Sequence, residues 1–105
     1  METPNLNYIE QLSGGDATFE KKLLSVFKME FPQEIAIYNE NISNKAYLKA
    51  AGNVHKLKHK FGILGLEKGY QIAVDYEENL KIESFTLQEE FEEILNKITQ
   101  FLKEL

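Results

Sequence analysis

Apolar residues recur at spacings of three and four along most of this 105-residue chain. That period matches the 3.6 residues of an α-helical turn, whereas the strict alternation typical of β-strands is nearly absent. Turn signals divide the pattern into a short segment, residues 6–12, and four longer blocks, residues 16–38, 45–65, 66–80 and 86–105. Amphipathic helices joined by short links must bury their apolar faces against one another. The sequence therefore predicts an all-α protein, an antiparallel four-helix bundle with a short additional N-terminal helix.

Local signals predict where the helices begin and end. Asp16 is a candidate N-cap for the second helix. Pro32 predicts a kink or a local break inside that helix, and residues 39–44 are polar and turn-like. Gly65 is a candidate C-cap for the third helix. Residues 86–89, Thr-Leu-Gln-Glu, have the spacing of a capping box for the last one.

Length and composition restrict the class of protein. We expect one domain, residues 1–105, because the chain is long enough for a single core but not for two. The net charge is −5 and the lysines are dispersed among 17 acidic residues, so no nucleic-acid partner is expected. The lack of cysteine excludes disulfides and thiol catalysis, and it is compatible with a cytoplasmic location. No apolar run approaches the ~20 residues that cross a bilayer, so we expect no membrane partner and, by default, a monomer.

Two histidines lie on the third predicted helix. The apolar stripe of that helix is centred between Val54 and Leu57. At about 100° per residue, His55 lies roughly 130° from this centre and His59 nearly opposite it. Both imidazoles should therefore face solvent. Lys58 lies between them and the edge of the core, where its stem can follow apolar surface.

Two glycines flank His55, Gly52 one turn before it and Gly62 two turns after it. Glycine inside a helix costs about 0.5–1 kcal/mol relative to alanine. Their presence beside an exposed histidine suggests that a partner approaches the helix backbone closely. Looser helix packing is the alternative explanation, chiefly for Gly52.

The chemistry of His55 and Lys58 suits phosphoryl transfer. A neutral imidazole is a good nucleophile near pH 7, and attack on an aspartyl phosphate would give an N-phosphorylated histidine. The transferred group carries charge on its equatorial oxygens. Lys58, one turn away, can neutralise part of that charge. Lys56 can assist from the flank or is a solvated surface residue.

The order of these motifs resembles the histidine-containing phosphotransfer (HPt) domain family. His55-x-x-Lys58 and the ending Leu64-Gly65-Leu66 are similar to the family motif, roughly His-x-x-Lys-Gly-(small)-x-x-x-Leu-Gly. The opening Gly14-Gly15-Asp16 and the region around Phe31-Pro32 also fall where such domains place them, so the resemblance covers nearly the whole chain. It implies a phosphoryl carrier with His55 as the phosphoacceptor and Lys58 as the charge partner, not an enzyme that turns over a small substrate.

The resemblance also implies the partners. These would be receiver domains of response regulators or hybrid histidine kinases in a multistep two-component phosphorelay. The Mg²⁺ that the transfer needs would be held by the acidic pocket of the receiver, with no cofactor bound by this chain. Gly52, Lys56 and Gly62 would lie on the docking surface.

The chain departs from the family pattern at two places. His59 stands where the family usually has glycine. Its imidazole can bind a phosphate oxygen as an auxiliary group, or it can obstruct unsuited receivers and narrow the choice of partner. On the following helix, the residues expected to face His55 are Glu77 and Glu78, which are acidic and would repel phosphate.

Three other interpretations remain open from the sequence. A phosphotransfer-deficient adaptor could bind and regulate a receiver or kinase domain. His55 and His59 form an i, i+4 pair that could chelate a metal if Glu77 or Glu78 supplied a third ligand. Both histidines could also be surface residues without chemistry.

Overall fold

The computed structural model describes residues 2–105 and contains five helices. They are α1 (Asn7–Ser13), α2 (Ala17–Ser43), α3 (Tyr47–Ile63), α4 (Glu67–Lys81) and α5 (Gln88–Lys103). The described residues form no strand, so the predicted all-α class is confirmed. None of the five helices combines the length and the apolar character that crossing a bilayer requires.

Aromatic side chains hold the centre of the core. Phe91 of α5 is fully buried and packs on the rings of Tyr38 in α2, Phe61 in α3 and Tyr76 in α4. The distances between the ring centroids are 5.4, 5.5 and 4.9 Å, respectively, within the range of favourable aromatic pairs. One side chain therefore connects the four long helices.

The buried tyrosines satisfy their hydroxyl groups in a chain of hydrogen bonds. The hydroxyl of Tyr38 lies 2.7 Å from that of Tyr76 and 2.9 Å from Oε2 of Glu92. An ionised carboxylate only accepts, so Tyr38 donates to Glu92 and Tyr76 donates to Tyr38. Burial raises the pKa of both tyrosines, that of Tyr76 to about 12. Both hydroxyls consequently remain protonated donors at neutral pH.

Helices α3 and α4 form the most extensive helix pair and are joined by the short turn 64–66. A Cβ atom at Gly62 would lie 3.5 Å from the ring of Tyr70, and the rings of Tyr47 and Phe85 lie 4.8 Å apart. Between these two contacts the position in α3 falls from 62 to 47, while the position of the contacted residue rises from 70 to 85. The two segments therefore run in opposite directions. This register decides which residues of α4 meet the histidines.

The predicted N-cap of α2 is confirmed, and the predicted C-cap of α3 is wrong by one residue. Asp16 is the N-cap of α2, and its carboxylate accepts a hydrogen bond from the backbone N–H of Phe19 at 3.1 Å. Gly65 lies one residue beyond the C-cap Leu64, at φ +77°. This left-handed conformation favours glycine, which explains the residue type at the end of α3.

The local break predicted at Pro32 does not occur, and the turn predicted at residues 39–44 begins only at the C-cap Asn44. Helix α2 continues through the proline to Ser43. Phe31 and Tyr38 are buried on either side of Pro32, and this packing outweighs the one backbone hydrogen bond that a proline removes. Asn41 lies within this last part of the helix, and its side-chain amide donates to the side-chain oxygen of Asn53 in α3 at 2.6 Å.

The predicted capping box at residues 86–89 is also wrong. Helix α5 begins at Gln88, and its N-cap Leu87 makes no side-chain hydrogen bond. The hydroxyl of Thr86 instead accepts from the side-chain amide of Asn79 at 3.4 Å, a contact that fastens the α4–α5 connection.

Candidate functional site

Four of the six predicted site residues of α3 lie along one exposed stripe, and Lys56 and Lys58 flank it on either side. We call this the α3 stripe and define it by Leu48, Gly52, His55, His59 and Gly62, all of which are exposed. By the helical count, these five positions fall within about 40° of one direction. The prediction that both imidazoles face solvent is confirmed, and the side chain of His55 is 53% exposed.

Glu77 of α4 joins the two principal residues of the predicted site. Its carboxylate oxygens both lie 3.2 Å from Nδ1 of His55, and Oε1 accepts from Nζ of Lys58 at 3.0 Å. Nζ of Lys81 lies 3.9 Å from Oε2. Only 12% of the Glu77 side chain is exposed. We call these four residues the Glu77 cluster.

The contact with Glu77 selects one tautomer of His55. An ionised carboxylate can only accept, so Nδ1 of the ring must carry the proton and donate it. In the neutral imidazole, the lone pair is then on Nε2. The ring is half exposed, and within the described residues Nε2 makes no hydrogen bond while Nδ1 contacts Glu77.

The carboxylate of Glu77 is ionised at neutral pH. Burial raises the pKa of this group, but the hydrogen bonds from Lys58 and His55 outweigh burial and hold the pKa below its ordinary value. A carboxyl group with a depressed pKa stabilises the folded state above its ordinary pKa, and the contribution is lost as the pH falls through the lowered value. The Glu77 cluster should therefore be intact throughout the neutral range.

We predict that Glu77→Gln alters the tautomer of His55. A hydrogen bond to a charged group is worth about 1.5–3 kcal/mol, and partial exposure of the ring favours the lower end, so the ratio of Nδ1–H to Nε2–H should fall about tenfold. The ¹⁵N chemical shifts of the imidazole measure this ratio. Glu78→Gln is the matched control, because Glu78 is exposed and pairs with Lys81 instead. Unchanged His55 shifts in Glu77→Gln would contradict the assignment.

His59 lies beside His55 without sharing its carboxylate contact. The two rings are 5.2 Å apart between centroids and meet edge to face. Among residues 2–105, no group of three or more His, Cys, Asp or Glu side chains is arranged to hold a metal ion. The metal-site interpretation thus has no third ligand to support it.

The fold does not require the two glycines of the stripe. A Cβ atom at Gly52 would meet nothing within 4 Å, and at Gly62 it would make an ordinary contact with Tyr70. Neither has the positive φ that excludes other residues. Packing inside the chain therefore does not explain why these helical positions lack a side chain.

Positive charge concentrates on α3. The helix carries four lysines and no acidic residue, although the whole chain has a net charge of −5. Lys60 is paired with Glu34 of α2 at 2.9 Å, and Lys58 belongs to the Glu77 cluster. Lys56 is exposed next to His55. Of the three lysines nearest the histidines, Lys56 is thus the one that forms no ion pair within the described residues.

The family resemblance predicted that Glu77 faces His55, and this placement is confirmed; the ion pairs of Glu77 with Lys58 and Lys81 were not predicted. Glu77 was expected to repel phosphate, whereas the structure places it on His55 and Lys58. One signal was present, because Glu77 follows the buried Tyr76 and so belongs to the edge of the buried face of α4. Comparison of the chain with protein-family models, with curated proteins and with solved structures finds no match.

Proposed function

We propose that this protein is a cytoplasmic histidine phosphotransfer protein of a multistep two-component phosphorelay. It accepts a phosphoryl group on His55 from the aspartate of one receiver domain and passes it to another. The observation that carries the proposal is the contact between Nδ1 of His55 and Glu77, which leaves Nε2 as an accessible nucleophile one turn from Lys58.

The transfer step follows from this arrangement. The lone pair on Nε2 of His55 attacks the phosphorus of the aspartyl phosphate in line. The N–P bond forms as the P–O bond to the aspartate breaks, and the aspartate leaves as a carboxylate. The ring gains positive charge, which the carboxylate of Glu77 balances through the Nδ1 proton. Transfer to a second receiver is the reverse of this step, and the receiver's acidic pocket holds the Mg²⁺.

Lys58 stabilises the phosphoryl group after leaving Glu77. Its ammonium group is a mobile point charge, which can swing from the carboxylate to an equatorial phosphoryl oxygen. Nζ of Lys81, already 3.9 Å from Glu77, can then keep that carboxylate paired. His59 acts as an auxiliary hydrogen-bond donor to the phosphoryl oxygens. The acidic residue of α4 would in this way assist the chemistry instead of opposing it.

The packing supports the fold that this function implies. Helices α3 and α4 run in opposite directions, and Phe91 of α5 packs on aromatic rings of α2, α3 and α4. Both features are expected of an antiparallel four-helix bundle. In that arrangement α1 is the additional N-terminal helix, and residues 1–105 form a single HPt-like domain. The α3 stripe then presents His55 on the outer wall of the bundle, where a receiver can reach it.

Phosphotransfer from a panel of phosphorylated receiver domains, in the presence of magnesium, tests the proposal. We expect at least one receiver to label the protein within minutes, with the acid lability and base stability of phosphohistidine. Absence of both transfer and binding across the panel would overturn the proposal.

A second candidate function is that of an adaptor that binds a receiver or kinase domain without accepting phosphate. The position of Glu77 favours it, because the carboxylate neutralises the lysine that a phosphoryl group would need. The two functions differ in the role of His55. Binding by an adaptor survives His55→Gln and no label is transferred, whereas a carrier loses its label.

We predict that Gly52→Ala stabilises the free protein and slows phosphotransfer. Alanine is favoured over glycine in a helix by about 0.5–1 kcal/mol, and its methyl group meets nothing inside the chain. Against a docked receiver, the added methyl costs about 1 kcal/mol or more, or at least fivefold in transfer rate. Urea unfolding and initial transfer rates measure the two effects.

Asn96→Ala on α5 is the control for the glycine variant. This exposed helical position also gains stability from alanine, by about 0.5 kcal/mol, and lies outside the α3 stripe. It should transfer phosphate at the wild-type rate. If Gly52→Ala transferred phosphate as fast as Asn96→Ala, the assignment of Gly52 to the docking surface would be wrong.

A further inference from the structure

A row of exposed apolar side chains runs along α2. Its members, Phe19, Val26 and Ile37, are 45%, 41% and 50% exposed, and none of them belongs to the core cluster or packs against it. We call these three residues the α2 row. By the helical count, Phe19 and Ile37 lie within about 20° of Val26 around the helix axis, whereas the buried Phe31 and Tyr38 lie about 120–140° away. The α2 row therefore faces away from the core of its own chain.

Charge is segregated along the same helix. Residues 17–28 of α2 carry three lysines and one glutamate, whereas residues 29–43 carry three glutamates and no lysine. A second α2 helix in the same direction would place like charges side by side. In the opposite direction, the basic half of each helix would lie against the acidic half of the other. The charges of α2 thus favour an antiparallel copy of itself.

We infer that two copies of this protein form a two-fold symmetric dimer in which their α2 helices pack antiparallel through the α2 row. The inference goes beyond the proposed function and does not depend on it, because no residue of α3 or α4 belongs to the row. It replaces the monomer expected by default from the sequence. A helix of 27 residues is about 40 Å long, so the contact would extend along most of the 44 Å length of the protein.

One register of the two helices satisfies both the apolar side chains and the charges. If Val26 lies opposite Ile37 of the second copy, Lys22 lies within about 1.5 Å of Glu40 of the second copy along the helix axis. Lys22 and Glu40 are on the same flank of the α2 row, each about 40° from Val26, and a two-fold axis brings the same flanks of both helices together. Both are exposed, and neither forms an ion pair within the described residues. Because of the symmetry, the apolar contact and the ion pair each occur twice in the dimer.

Exchange of the two charges tests the inference. Lys22→Glu and Glu40→Lys each turn two attractive contacts into two repulsive ones, so each should raise the dissociation constant of the dimer by about tenfold. The double variant Lys22→Glu/Glu40→Lys restores opposite charges across the interface and keeps the net charge at −5, so it should dimerise nearly as tightly as wild type. Sedimentation velocity over a range of protein concentrations measures the dissociation constants, and circular dichroism verifies the fold of each variant.

Lys21→Glu is the matched control. Lys21 is also an exposed lysine of α2, but it lies about 140° from Val26 around the helix axis. Its reversal changes the net charge by the same amount as Lys22→Glu and should leave dimerisation unchanged. Ile37→Gln, in contrast, removes the apolar contact from both sides of the two-fold axis and should weaken the dimer about tenfold.

The remaining outcomes overturn the inference. Wild type that stays monomeric up to about 1 mM has no dimer to explain. A double variant that dimerises no more tightly than Lys22→Glu alone would contradict the register, and equal weakening by Lys21→Glu would show an effect of net charge only. A dimer that none of these substitutions weakens would form through another surface. None of the measurements uses a receiver domain or His55, so their failure leaves the proposed function to its own test.

Discussion

His55→Gln is expected to abolish phosphoryl transfer to this protein, lowering the rate by at least about a thousandfold, to the background of the assay. Removal of a covalent nucleophile lowers the reaction rate by this factor or more, because no other group supplies the lone pair that attacks. The side chain is half exposed and outside the core, so the variant should fold. Transfer from phosphorylated receivers measures the loss, and circular dichroism with urea unfolding verifies the fold.

His59→Gln distinguishes the two imidazoles. His59 lies on the same stripe but makes no contact with Glu77, so its tautomer is not selected in the same way. The variant should keep its label and transfer more slowly, because only an auxiliary donor is lost. His59→Gly, the residue usual in the family motif, should also be slower than wild type. Label that persists in His55→Gln and disappears in His59→Gln would reverse the assignment of the phosphoacceptor.

The all-α class was predictable because the spacing of apolar residues determines which face of each helix is buried. Val54, Leu57 and Phe61 follow the helical period, and all three are fully buried. The same helical count predicted that His55 and His59 lie outside the core. Burial depends here on position around a single helix, a local property that the 3.6-residue period determines.

Properties that depend on two helices were not predictable in the same way. The continuation of α2 through Pro32 depends on how Phe31 and Tyr38 pack against other helices. The role of Glu77 depends on the register of α3 against α4, since a shift of one residue would turn its carboxylate away from His55. No local pattern records that register: the expectation that Glu77 faces His55 came from the family resemblance, and its ion pairs with Lys58 and Lys81 were not expected.

We expect Phe91→Ala to have the largest effect on stability, a loss of about 3–5 kcal/mol in the free energy of unfolding. Truncation of a buried phenylalanine removes its transfer free energy and leaves a cavity that the neighbours fill only in part. At Phe91 the cavity would open between three aromatic rings from three different helices. Small domains have about 5–15 kcal/mol of stability in total, so the variant would lose a large fraction of it. Urea unfolding gives the difference.

Phe19→Ala provides the matched control, since it makes the same chemical change at a side chain of α2 that is nearly half exposed. It should cost about 1 kcal/mol or less. Equal losses in the two variants would contradict the central place given to Phe91.

The Phe91→Ala variant also bears on function, because the ring of Phe91 packs on Tyr76, whose neighbour in α4 is Glu77. Loss of this packing should weaken the hydrogen bond between Glu77 and Nδ1 of His55. In folded Phe91→Ala, the ¹⁵N shifts of the imidazole should then move toward those of Glu77→Gln.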